Sequence, residues 1–174
     1  VAAVAASEEQ LSVKKAAEFA EKEKSPYRTY TGPAAYGSDG ITYPKTWSAH
    51  VDETNAAGIP LSGYLNPGFV PGIQSDVTKS NIALRVEVVS TAYSATIEEL
   101  SASVDTGKLK VTPYSAPKVA GVVGIRADGE ITVGKQGSVV ILPLRDKTIK
   151  IWTESSQFVG DFDSIILPNL TFVP

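Results

Sequence analysis

Residues 82–89, "IALRVEVV", alternate cleanly between apolar and polar. Ile82, Leu84, Val86 and Val88 fall on one side, Arg85 and Glu87 on the other. A period of two predicts a strand with one buried face. Immediately after it, Ile97, Leu100 and Val104 recur at helical spacing. Thr96 with Glu99 reads as the capping box of that helix and Gly107 as its stop. There follow the strand-like runs "KLKVT", "VAGVVGIRA", "EITV", "GSVVILPL" and "KTIKIWT". Asp128-Gly129 is a hairpin signal, residues 145–147 are a second short turn, and Pro143 is expected at a strand end or on an edge. The C-terminal stretch predicts a short helix carrying Phe158, Phe162 and Ile165/Ile166, then a last strand, "NLTF".

The first 25 residues follow another pattern, rich in Ala, Glu and Lys. Ser7 with Gln10 fits a capping box, Pro26 supplies a stop, and Lys14, Glu18 and Lys22 form opposite-charge pairs one turn apart. The least polar stripe, Val13, Ala16, Ala17 and Ala20, is mostly alanine and buries little area. Such a helix suits a spacer between a membrane anchor and a globular head, and a terminal helix docked on its own domain fits the pattern equally. From Tyr27 the pattern turns to short β runs, "YRTYTG" and "GITY". In "ITYPKTWSAH" (41–50), strand parity sets Trp47, Ala49 and Val51 on an apolar face, with Ser48, His50 and Asp52 opposite. Residues 54–81 show no sustained period and read as one long loop.

The organisation expected is therefore an N-terminal helical spacer, 1–26, ahead of one globular domain, 27–174. The domain class is α+β: a central antiparallel sheet of five to seven strands with helices inserted between them. With 174 residues the chain is long enough to bury a self-sufficient core. Sixteen basic against 19 acidic residues, with no Lys/Arg cluster, argue against nucleic acid as a partner. There is no run of 18 apolar residues. Position 1 is Val, and methionine is absent, so a preceding segment is expected. Membrane attachment would come only through that segment.

Counting removes most catalytic chemistry. One histidine and no cysteine leave no Cys–His pair, no thiolate metal site and no disulfide. No serine elbow, Walker loop or dinucleotide fingerprint is present. No catalytic, cofactor-binding or metal-ligating residue is therefore assigned, and no cofactor is expected. Asp161 and Asp163 flank Phe162 as "DFD", a pattern that fits either a cation or wet carboxylates around an inward Phe162. Asp39 reads as a turn residue, and Asn169-Leu170-Thr171 matches a glycosylation sequon in a predicted strand. The candidate binding residues lie on the long loop: Tyr64, Leu65, Asn66, Phe69 and Val70, which either plug onto the domain or meet a partner protein or surface ligand.

"DGITYPKTW" resembles the opening of PsbP-like domains. "GSVVILPLRDKTIKIWTESSQFVGDFDSIILPNLTF" is similar to the closing hairpin, helix and strand of that family, and "IALRVEVVSTAYSATIEELSASV" to its strand and sheet-covering helix. The resemblance covers roughly residues 27–174 and rests on packing motifs. It implies an α/β/α sandwich around an antiparallel sheet, in an extracytoplasmic, membrane-anchored bacterial protein. It carries no catalytic residue. The function expected is a non-catalytic binding or scaffold domain. The alternatives are a component of a cell-surface assembly such as a pilus or secretion apparatus, and a carboxylate-dependent hydrolase.

Overall fold

The computed structural model describes residues 2–68 and 80–174. Helix α1 (Ala2–Lys24) precedes a two-stranded ribbon of β1 (Tyr27–Thr31) and β2 (Gly40–Pro44). Then come β3 (Trp47–Asp52), β4 (Leu61–Pro67), β5 (Leu84–Val89), α2 (Tyr93–Glu98), α3 (Ser101–Asp105), β6 (Leu109–Tyr114), β7 (Gly124–Thr132), β8 (Lys135–Leu144) and β9 (Lys147–Thr153). The chain closes with α4 (Val159–Asp161), a π turn (Phe162–Ile166) and α5 (Leu167–Asn169), which run on without a break. Strands β3 to β9 form one antiparallel sheet in the order β3-β4-β5-β9-β8-β7-β6.

Alternation along the strands divides the core in two. Leu84, Val86 and Val88 share a side with Val140, Leu142, Ile149 and Ile151. Phe162, Ile166, Leu167 and Leu170 of the C-terminal helical segment pack on that side, with Ile41 and Tyr43 from the ribbon. On the reverse side Leu109, Ala127, Val139, Ile141 and Trp152 are covered by Tyr93 and Leu100 from the α2–α3 region. Helices thus lie on both faces of an antiparallel sheet, the three-layer α+β arrangement expected. Phe162 is fully buried, as its inward placement required.

Pro44 ends β2, and after two intervening residues Trp47 opens β3 in the other sheet, so the chain changes sheets there. Proline lacks the N–H that continuing the ladder would need. Tyr43 and Trp47 are both buried, and Trp47 meets Phe158 edge-on, with ring centroids 5.7 Å apart. His50 is exposed, as parity predicts, but so is Ala49, because β3 is the outer strand of the sheet.

Several elements differ from the sequence pattern. Residues 54–81 are not one loop. Leu61, Gly63 and Leu65 alternate with Ser62, Tyr64 and Asn66 as strand β4, whose period is hidden because one of its three inward positions is a glycine. Helix α1 begins before Ser7, so Ser7 and Gln10 do not cap it. Thr96 lies inside α2 and donates to the Ala92 carbonyl at 3.1 Å instead of opening a helix. The expected single helix is two short ones, ending at Gly107 as predicted. "NLTF" forms no strand: Asn169 ends the helical segment and Thr171 makes one isolated bridge to Gly40.

Asp128-Gly129 is not a turn. Strand β7 runs straight through it, with Gly129 opposite both Leu109 and Gly137, and the chain reverses at Val133-Gly134. A Cβ on Gly129 would lie 2.2 Å from the Lys108 carbonyl oxygen, so the glycine serves close backbone approach. Gly129→Ala should therefore cost roughly 2 kcal/mol or more, whereas Gly134→Ala, with open space around it, should cost only about 1 for its positive φ. Urea unfolding of both variants checks this; equal losses would contradict it. The turn at 145–147 is as expected, with Arg145 at φ 55. Pro143 sits one residue from the end of β8, beyond the stretch that pairs with β7.

Candidate functional site

Register places four side chains in one row across the reverse face: His50, Tyr64, Arg85 and Trp152, on β3, β4, β5 and β9. The Arg85 guanidinium lies 4.4 Å from the Tyr64 ring centroid and 4.8 Å from that of Trp152. Planar and weakly hydrated, a guanidinium stacks well on two aromatic faces. It also donates to the Tyr64 hydroxyl at 3.0 Å, to Glu87 at 3.4 Å and to Glu154 at 3.1 Å.

Glu154 is the hub. Its side chain is 2% exposed and accepts from Arg85, from Lys135 Nζ at 2.9 Å, from the Ile82 N–H at 3.1 Å and from Trp152 Nε1 at 3.4 Å. Burial alone would raise its pKa, but the bonds from Lys135, Ile82 and Arg85 outweigh burial and hold the carboxyl below its ordinary value. Lys135 also donates to the Ser80 carbonyl at 2.8 Å. The result is a partly buried network of two cations and two carboxylates, stacked on two rings.

The candidate loop residues divide across this face. Tyr64 belongs to the row. Leu65, 1% exposed, points the opposite way into the main core. The Asn66 side chain accepts the Ala83 N–H at 3.0 Å. Phe69 and Val70 lie outside the described residues. Sequence reasoning missed Arg85, Lys135 and Glu154, although the polar side of "IALRVEVV" and the two-residue spacing of Trp152 and Glu154 were visible signals.

A second cluster lies on the other face. Arg126 bonds Asp163 at 2.5 Å and Asp128 at 3.0 Å, and also donates to Ser138 at 3.2 Å, while the Ser138 hydroxyl donates to Asp128. The Asp163 bond, with Asp128 adding to it, pushes the Arg126 pKa up against burial. Burial opposes ionisation of Asp128, yet Arg126 and Ser138 hold its pKa below normal. Asp163 is thus neutralised by an arginine, and Asp161, half-buried, makes no part of the cluster. No group of three or more His, Cys, Asp or Glu placed to hold a metal occurs among the described residues. The sequon asparagine is occupied: its Nδ2 donates to the Ile165 carbonyl at 2.8 Å, and its Oδ1 accepts from Lys118 at 2.7 Å.

Asp39, read from the sequence as a turn residue, is buried just before β2. It is 0% exposed, and no other residue hydrogen-bonds either carboxylate oxygen. Burial, with the Glu53 charge adding to it and its own backbone N–H offsetting it in part, pushes its pKa up to about 6. Nearby, the Tyr30 hydroxyl donates to Glu53, and burial followed by that bond raises the Tyr30 pKa.

No family model matches the sequence, and no curated protein aligns with it significantly. Among solved structures the chain is similar to the solution structure of cyanobacterial PsbP (CyanoP) from Synechocystis sp. PCC 6803. The two share 11% identity at a TM-score of 0.41, over 80% of this chain and 86% of that one. A likeness this distant assigns no residue a role. No helix among the described residues is long and apolar enough to cross a membrane.

Proposed function

We propose that the chain is a non-catalytic binding or scaffold domain, and that its contact surface is the sheet face carrying His50, Tyr64, Arg85 and Glu87. The observation that supports this most is the Glu154 network. Its titratable groups are spent on one another, which suits a rigid platform and leaves no acid or base poised for proton transfer. Helices α2 and α3 pack toward β6, β8 and β9, at the other end of this face. His50 and Ser48 on the outer strand stay exposed. The partner is a protein or a surface ligand. The setting proposed is extracytoplasmic, with the chain held at a membrane through a segment preceding it, as its resemblance to anchored PsbP-like proteins suggests. A surface assembly is a second setting for the same contact.

Photo-crosslinking tests the surface. A photoreactive residue at position 50 or 62 should capture a defined partner in cells, and one at position 118, on the opposite side of the domain, should not. Equal capture from all three positions would remove the assignment. Asp161→Asn and Asp163→Asn should leave both capture and any hydrolytic activity of the preparation unchanged; loss of hydrolysis would favour the carboxylate enzyme instead.

A further inference from the structure

Helix α1 is long, and every side chain described in it is exposed. Its exposed bulky residues include Val4 at 62%, Leu11 at 53% and Phe19 at 66%. At 3.6 residues per turn these three fall within an arc of about 80°. Glu8 and Lys15 stand between them on the same arc. The alanine-rich stripe with Val13 lies elsewhere on the helix, so the bulky apolar face differs from the one the sequence pattern suggested.

From Val4 to Phe19 the order along this face is Val4, Glu8, Leu11, Lys15, Phe19. Read in reverse it is its own complement, with apolar ends, an apolar centre and one acid matched by one base. We propose that α1 pairs antiparallel with α1 of a second copy of the chain. Val4 packs against the partner's Phe19, Glu8 meets the partner's Lys15, and the two Leu11 side chains meet at the crossing. The pairing is isologous, so each contact occurs twice about a two-fold axis. A parallel pair would oppose Glu8 to Glu8 and Lys15 to Lys15, a repulsion the antiparallel register avoids. A lipid surface fits the face less well. The helix holds five glutamates against four lysines, and Glu8 sits within the apolar arc, whereas membrane-surface helices keep a basic polar face. One helix face buries less than the roughly 800 Å² per partner of a standard interface, so the dimer is weak and dissociates on dilution. The pairing is independent of what the sheet face binds.

Charge exchange tests it. By sedimentation equilibrium the wild-type mass should rise toward a dimer between about 10 µM and 1 mM. Leu11→Glu should stay monomeric throughout. Glu8→Lys and Lys15→Glu should each weaken pairing by about tenfold, and an equimolar mixture of the two should regain it, because the mixed pair restores both opposite-charge contacts. Far-UV circular dichroism and the unfolding midpoint confirm that each variant keeps its helix and its domain. The chain has no native cysteine, so Val4→Cys mixed with Phe19→Cys should form a disulfide across the pair. Val4→Cys alone should not, since its partner copy lies roughly 22 Å away in the antiparallel register. A monomeric wild type at 1 mM, a mixture no heavier than its components, or efficient self-crosslinking of Val4→Cys would each overturn the proposal. So would a chain that stays monomeric but binds phosphatidylglycerol vesicles through Leu11.

Discussion

Glu154→Ala should destabilise the protein by about 3–5 kcal/mol, since removing one partner of a buried ion pair leaves the others charged and desolvated. Here the loss is shared: Arg85 and Lys135 each lose their contact with the hub, and the Ile82 N–H and Trp152 Nε1 lose their acceptor. Against a typical domain stability of about 5–15 kcal/mol, this is a large fraction. Urea unfolding at pH 7 measures it, and a change below about 1 kcal/mol would show that the network contributes little. Acid gives an independent check. The Glu154 carboxyl is held below its unfolded value of 4.5, so its stabilisation is present above that pH and is lost as pH falls through the lower folded value. The gap between wild type and Glu154→Gln should therefore narrow in acid. Arg85→Lys should also cost stability, because an ammonium cannot lie flat between Tyr64 and Trp152 while reaching both Glu87 and Glu154.

Asp39→Asn should have the opposite sign. The folded pKa of Asp39, about 6, lies above its ordinary 3.8, so the native state favours the protonated form. Stability from this group is complete below about pH 3.8 and is lost as pH rises through 6. The shift corresponds to roughly 3 kcal/mol. At pH 7.5 the asparagine variant should thus be more stable than wild type by up to about 3 kcal/mol, and at pH 3.5 the two should unfold at nearly the same urea concentration. Glu53 and Tyr30, the groups that interact electrostatically with Asp39, supply no compensating cation. A difference independent of pH would show that the carboxyl is not buried as charge.

How far the sequence specified this architecture depended on the length scale of each signal. Where burial on one side imposes a period of two, as in "IALRVEVV", the pattern identified the strand and its inward face correctly. The same parity placed Trp47 on the buried side of its strand. Antiparallel α+β architecture followed from the succession of short alternating runs. Signals of a few residues fared worse. Asp128-Gly129 has the residues of a hairpin turn, yet its glycine answers to the Lys108 carbonyl, immediately before β6. Thr96 and Glu99 spell a capping box, but the helix starts a turn earlier. In β4 a glycine and bounding prolines conceal a strand that two neighbours pair with.

By itself the sequence determined which faces are apolar, because alternation is a local consequence of backbone geometry. It could not determine which polar groups meet. Arg85, Lys135 and Glu154 are separated by up to 69 residues along the chain and are brought together only by the strand order β5-β9-β8. Asp39 shows the same limit: the sequence marks it only as a turn residue, and the packing of the folded chain removes water from it. Strand order and exclusion of solvent are properties of the folded chain, and among the described residues they create both the candidate site and a buried carboxyl, Asp39, that no other residue's hydrogen bond reaches.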